Sequence, residues 1–273
     1  VYHKQNKIGK LGWLISEMEL RPLSEDISQD KSTYIEKYLK SVFVGDDDNS
    51  SKLHLQNTQP SCKDIIVTSF HTKDNYYTKK AYDLKSRLNL LGIKHDIRPI
   101  EIPTGMKWPD ICRKKTSYMF EAFKRHKDRY KKLIWIDVDC NLDFFPNFIV
   151  DFDVDFMAFG RGFRTSKSST KKKYTRRWEP CFFVFSMNHK CMDLLRKASD
   201  LEKKMKDIQA TDDYFFEESW RENGAKLTTF EIPGEMSTRR EPKNIYTIQR
   251  KSKGIFFIFG DSGNVSEFKG KVE

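Results

Sequence analysis

At 273 residues, 38% hydrophobic and 14% aromatic, the chain is long enough to bury a substantial core as one large domain or two small ones, and it reads as globular. Lysine and arginine outnumber aspartate and glutamate by 50 to 39, a formal charge of +11; this favours an anionic partner such as a nucleotide, nucleic acid or membrane surface without choosing among them. Five cysteines, Cys62, Cys112, Cys140, Cys181 and Cys191, contain no C-x-x-C pair, so neither a disulfide framework nor a cysteine zinc site is suggested and a reducing compartment is favoured; a cytoplasmic setting is expected, with a lumenal or membrane-associated one as the alternative.

No apolar run approaches the roughly 18 residues a membrane helix needs, and the start VYHKQNKIGK lacks the apolar core of a signal peptide. Residues 1–60 read as an appendage: a polar start, a short helix predicted over Thr33 to Phe43 with Ile35, Leu39 and Val42 on one face, then the polar linker GDDDNSSKLHLQNTQPS. The body is predicted over 61–273.

The body opens with DIIVTSF, a β-branched run of strand length, followed by a helix in which Tyr77, Ala81, Leu84, Leu88 and Leu91 recur at intervals of three and four. Gly92 ends that helix as a C-cap glycine. A strand over HDIRPIEI, a helix over about Lys115 to Lys127 and the strand KKLIWID continue an alternation that reads as βαβ units building a largely parallel sheet. Further strands are predicted at DFMAFG, CFFVFSM, KLTTFEI and GIFFIFG, with helices over roughly 190–205 and 212–222. Between the first two of these strands lies RGFRTSKSSTKKKYTRR, too basic and too rich in serine and threonine for a core, and predicted to be a mobile surface loop.

The stretch LIWIDVDCNLDFFP carries the chemistry. Two carboxylates at the tip of a buried strand cost several kcal/mol if left unpaired, so Asp137 and Asp139 must face solvent, a cation or a metal. In ideal strand geometry both point to the same side. A hard divalent ion, Mg²⁺ or Mn²⁺, commonly takes one or two carboxylates and fills its shell with water and phosphate oxygens. The plainer alternative is that the pair caps the strand and opens a turn.

A second acidic pair lies in ATDDYFFEESW, where Thr211 is placed to N-cap a helix whose first turn holds Asp212 and Asp213, a position the helix dipole favours in any protein. Trp178 and Trp220 offer aromatic faces of the kind that pack on sugar C–H surfaces, although Trp220, four residues after Phe216, also fits a helix core.

The run LIWI before D-x-D, the NLDFFP after it and the later DVDFMAF resemble the nucleotide-sugar glycosyltransferases of the GT-A fold, over about residues 64 to 235. The segment RKKTSYMFEAFKRH is similar to the helix that precedes the D-x-D strand in nucleotide-diphospho-sugar transferases, except that Lys115 or Thr116 stands where that family usually has proline. The resemblance implies a single α/β GT-A-like domain: a mostly parallel central sheet flanked by helices, with a Rossmann-like donor half and a mixed acceptor half. It implies that Thr68, Ser69, Phe70 and His71 form the loop holding base and ribose, with Lys114, Lys115, Asp137 and Val138 also contacting the donor. Asp139 would be the main metal ligand, with Asp137 sharing the metal or touching ribose. Asp261, in IFGDSGN, is a further metal candidate, against the alternative of a turn built by Gly260 and Gly263. Trp178 and Glu179 would line the acceptor pocket.

Asp213 would be the general base of an inverting transfer, with Asp212 as its alternate. A retaining enzyme would use the same position to contact the donor sugar. The basic segment 164–177 would close over the donor diphosphate, or else remain a solvated charge run. The expected partners are a nucleoside-diphosphate sugar, UDP on family frequency alone, a glycan or glycoconjugate acceptor, and Mn²⁺ or Mg²⁺. The rival class, a nucleic-acid-binding protein or metal-dependent phosphodiesterase, draws on the +11 charge and KKKYTRR, but the charge is spread along the chain with no helix-turn-helix, finger or RNP pattern.

Overall fold

Apolar runs with alternating faces form strands buried on both sides. In the computed structural model, which describes residues 62–167, 173–208, 210–238 and 256–260, they build one six-stranded sheet. The predicted appendage, with its helix at Thr33 to Phe43, lies outside those residues, as does Asp261. In chain order the body runs β1 (Ile65–His71), α1 (Asn75–Leu90), β2 (His95–Pro99), α2 (Trp108–His126), β3 (Lys132–Ile136), β4 (Asn141–Leu142), α3 (Phe148–Asp151), β5 (Phe156–Lys167) and β6 (Lys173–Ser186). It continues with α4 (His189–Lys204), α5 (Asp212–Asn223), β7 (Thr229–Ile232), β8 (Ser237–Thr238) and β9 (Phe257–Ile258).

The sheet order is β2-β1-β3-β6-β5-β7, and β4, β9 and β8 form a small second sheet. Every neighbouring pair in the large sheet is parallel except the two made by β6, which runs against both β3 and β5. Strand order reverses at β1 and β3, since β2 lies on one side of β1 and the chain returns through α2 to β3 on the other. Ligands of open α/β sheets bind beyond the carboxyl ends of strands at such a reversal.

The alternation divides the core in two. Ile134, Ile136, Met157, Phe159, Phe182 and Val184 pack with Leu84 and Leu88 of α1, Phe148 of α3 and Phe257 of β9. On the other face Leu133, Trp135, Phe156, Phe183 and Phe185 pack with Met119 and Phe123 of α2, Leu194 of α4 and Phe216 of α5. Helix α1 stops as predicted: the chain turns through Gly92 at φ 69°, a conformation that costs glycine nothing.

The stretch predicted as a mobile loop is different. Residues 161–167 and 173–176 belong to the extended arms of β5 and β6, registered Arg164 to Arg176 and Lys167 to Lys173, with two irregularities between Ala158 and Arg164. A hairpin satisfies its backbone without a hydrophobic face, so polar composition does not exclude strand. Arg177 leaves this segment altogether. It is buried and ion-paired with Glu231, whose carboxylate occupies the space a Cβ on Gly160 would need, so it is not a hand over a diphosphate. Helix α2 also begins about two turns earlier than predicted, with Pro109 in its first turn, where a missing N–H costs nothing.

Candidate active site

The D-x-D pair sits just past β3. The Asp137 N–H still donates to Cys181 O at 2.9 Å, extending the β3–β6 ladder, and the Cys140 N–H returns to Asp137 O at 2.8 Å. Residues 137–140 are therefore a β-turn, with aspartate at a first position that favours it. This corrects the expectation of two carboxylates on one strand face. Asp137 leans toward α2 and α5, whereas Asp139 leans toward β9.

Asp137 Oδ1 accepts from Trp135 Nε1 at 2.7 Å and meets Lys115 Nζ at 2.8 Å. The same ammonium lies 2.8 Å from Asp212 Oδ2 and donates to Pro180 O at 3.2 Å. The ammonium thus sits among two carboxylates and a carbonyl. The two acidic pairs, far apart in sequence, meet through one buried lysine. Burial pushes the Asp212 carboxyl up to about 6, with Asp213 and Asp137 adding to the rise and Lys115 opposing it. The two carboxylates hold the Lys115 pKa well above the ordinary lysine range, against burial.

Helix α5 places its acids as the sequence implied, with Asp212 and Asp213 both buried in its first turn. Thr211 stands at the N-cap, but its hydroxyl donates to the Asp213 carboxylate rather than accepting a helix N–H. The connector leading to it is held by Arg113, whose guanidinium donates to Glu202 O at 2.6 Å, Met205 O at 2.8 Å and Ile208 O at 3.1 Å and lies 4.7 Å from the Phe215 ring.

Gly260 closes the other side. A Cβ there would stand 2.1 Å from Asp139 Oδ2, so only a bare Cα leaves room for that carboxylate. Among the described residues no three His, Cys, Asp or Glu side chains gather as a metal cluster. The donor set nevertheless suits a hard divalent ion of the kind that uses one or two carboxylates, because the glycine cradle accommodates Asp139 and both bonds of Asp137 fall on a single oxygen.

Several other expected contacts are displaced. Thr68 to His71 are the end of β1 and not a loop. Thr68 and Ser69 are fully buried, the former donating to Ile134 O at 3.4 Å, so neither side chain reaches a nucleoside. His71 is buried with Nδ1 2.8 Å from Thr72 O, while half-buried Phe70 packs against Tyr118 and Trp135 at 5.3 and 5.7 Å between centroids. Val138 is a core residue on the α1 side, so only its main chain is available to a donor. Lys114 is part-buried on α2, about 100° around the helix from Lys115. Trp178 is 2% exposed and packs edge-on against Phe156 and Trp220, which leaves no ring face for a sugar. Glu179, the next residue, is part-buried.

The architecture is that of an α/β domain with a six-stranded, mostly parallel sheet flanked by helices. A solved structure described as a glycosyltransferase involved in the glycosylation of the major capsid of PBCV-1 is similar to it, with a TM-score of 0.51 and 11% identity over 73% of this chain and 93% of that one. At that identity the likeness is one of fold. No family model matches the chain, and no curated protein does.

Proposed function

We propose that the chain transfers a sugar from a nucleoside-diphosphate sugar, in the first instance a UDP-sugar, to a hydroxyl of a glycan or glycoconjugate, with a divalent cation bound at Asp139 and Asp137. The observation that carries this reading is the Lys115 ammonium joining Asp137, beyond β3, to Asp212 in the first turn of α5. It brings Asp137 and Asp212 together at the strand-end rim where such folds bind ligands, with Asp139 in the same turn as Asp137 and Asp213 next to Asp212 on α5. When bound, the cation would neutralise charge developing on the departing diphosphate.

Asp139 and Asp137 are the residues that would hold that ion. Asp212 is fixed by Lys115, and Asp213, one residue on, takes the acceptor's hydroxyl proton as the oxygen attacks the anomeric carbon, the geometry of an inverting reaction.

The test is thermal stabilisation by UDP with Mn²⁺, followed by a donor-turnover screen across sugar nucleotides. A ligand bound only by the native state at 100 times its Kd stabilises by about 2.7 kcal/mol, a rise of roughly 5–10 °C for a domain of this size. No rise with any nucleoside diphosphate, together with no turnover, overturns the reading. Gly260→Ala supplies a second check. Its methyl group would push the Asp139 carboxylate aside, and Mn²⁺ affinity in the presence of UDP should fall about 10- to 100-fold, as when a metal ligand loses its support, with little change in melting temperature without ligand.

A further inference from the structure

Glu217 is a buried acid that the reaction above does not use. It lies four residues after Asp213 on α5 and is 3% exposed. Its Oε1 accepts two consecutive backbone N–H groups, from Arg177 at 2.6 Å and Trp178 at 2.8 Å. Those residues lie on β6 just before Pro180 and Cys181, whose carbonyls accept from Lys115 and from the Asp137 N–H. A closed circuit results. It runs from α5 through Glu217 to β6, through Pro180 and Cys181 to Lys115 and Asp137, and through Asp212 back to α5.

We propose that Glu217 is a positioning residue for the transfer, fixing the distance between the helix that carries Asp213 and the strand that supports the D-x-D turn. The inference rests on the transferase reading. What it requires of residue 217 is reach and an acceptor oxygen, not a charge. Burial pushes the Glu217 carboxyl up to about 7 although the two N–H bonds pull it down, and a neutral carboxyl still accepts through its carbonyl oxygen. Glutamine should therefore substitute for it. Aspartate, one methylene shorter, keeps the charge and cannot span to both N–H groups.

The test compares Glu217→Gln with Glu217→Asp in the full chain, by steady-state kinetics with Mn²⁺ and by amide hydrogen exchange at Arg177 and Trp178. Glu217→Gln should stay within about twofold of the parent. Glu217→Asp should lose about tenfold or more in kcat with donor KM unchanged within twofold, because a small misplacement of a reacting group is costly while the donor is held at β3. Protection of the two amides should fall only in Glu217→Asp. The reverse ranking of the variants, equal loss in both, or full activity in both overturns the proposal. If the parent turns over no sugar nucleotide, the transferase reading fails, and the exchange result alone then decides whether Glu217 ties α5 to β6.

Discussion

Asp139→Ala should reduce metal-dependent donor turnover on the order of 10²–10³-fold, the cost of removing a preorganised group that stabilises developing charge. The fold should not notice. Asp139 lies on a turn beyond the last residue of β3 and is part-buried rather than a member of either core cluster, so its loss should cost about 1 kcal/mol or less. Kinetics over a Mn²⁺ titration and a ligand-free melting curve read the two effects separately. Turnover equal to the parent at saturating metal would remove Asp139 from the cation site.

Lys115→Met should show the opposite pattern, with a large loss of stability. Removing one partner of a buried charge cluster strands the others and costs about 3–5 kcal/mol, or roughly 6–20 °C for a domain of this size. The loss should depend on pH in a defined direction. In the parent, Asp212 has a folded value of about 6 against an ordinary 3.8, so its contribution to stability is full below 3.8 and declines as pH rises through about 6. Without the ammonium, which opposes the rise, the folded-state value of Asp212 goes higher still. The native form then holds protons more strongly than the unfolded one, and the deficit should narrow as pH falls from 8 to 5. Melting temperatures of parent and variant across that range measure it. A second substitution, Asp212→Asn, should restore part of the loss at pH 8, because it removes one of the orphaned charges. A gap that is flat with pH would mean that Lys115 contributes packing alone.

The elements that could be read from the sequence were those whose period is set by two buried faces or one buried stripe. The run KKLIWID and the spacing of Tyr77, Ala81, Leu84 and Leu88 were legible for that reason. The start of α2 was hidden because Arg113 and Lys115 are buried through partners on other elements, Arg113 on carbonyls in the last turn of α4 and just after it and Lys115 on two aspartates. No local pattern encodes that. Strands of two residues, such as β4 and β8, have no period to detect, and the reversed direction of β6 is a property of the sheet rather than of CFFVFSM. The acidic residues were singled out by type and context, but the lysine that links Asp137 to Asp212 appeared only as a possible donor contact. Gly260 was read as a turn former, whereas its position beside Asp139 follows from β9 pairing with β4. Glu217 was visible in principle, since a carboxylate one turn after Asp213 shares its helix face.

The hairpin of β5 and β6 has a consequence for how such a protein can vary. Beyond Phe159, β5 has parted from β7, and its registered partner is β6 alone. Both legs are rooted at the rim, through Gly160 beside Glu231 and through Arg177 and Trp178 on Glu217. Adding or deleting residues in opposed pairs along the arms preserves which way every remaining side chain faces. The overhang can therefore be lengthened or shortened as a detachable module while the residues at its root keep their spacing.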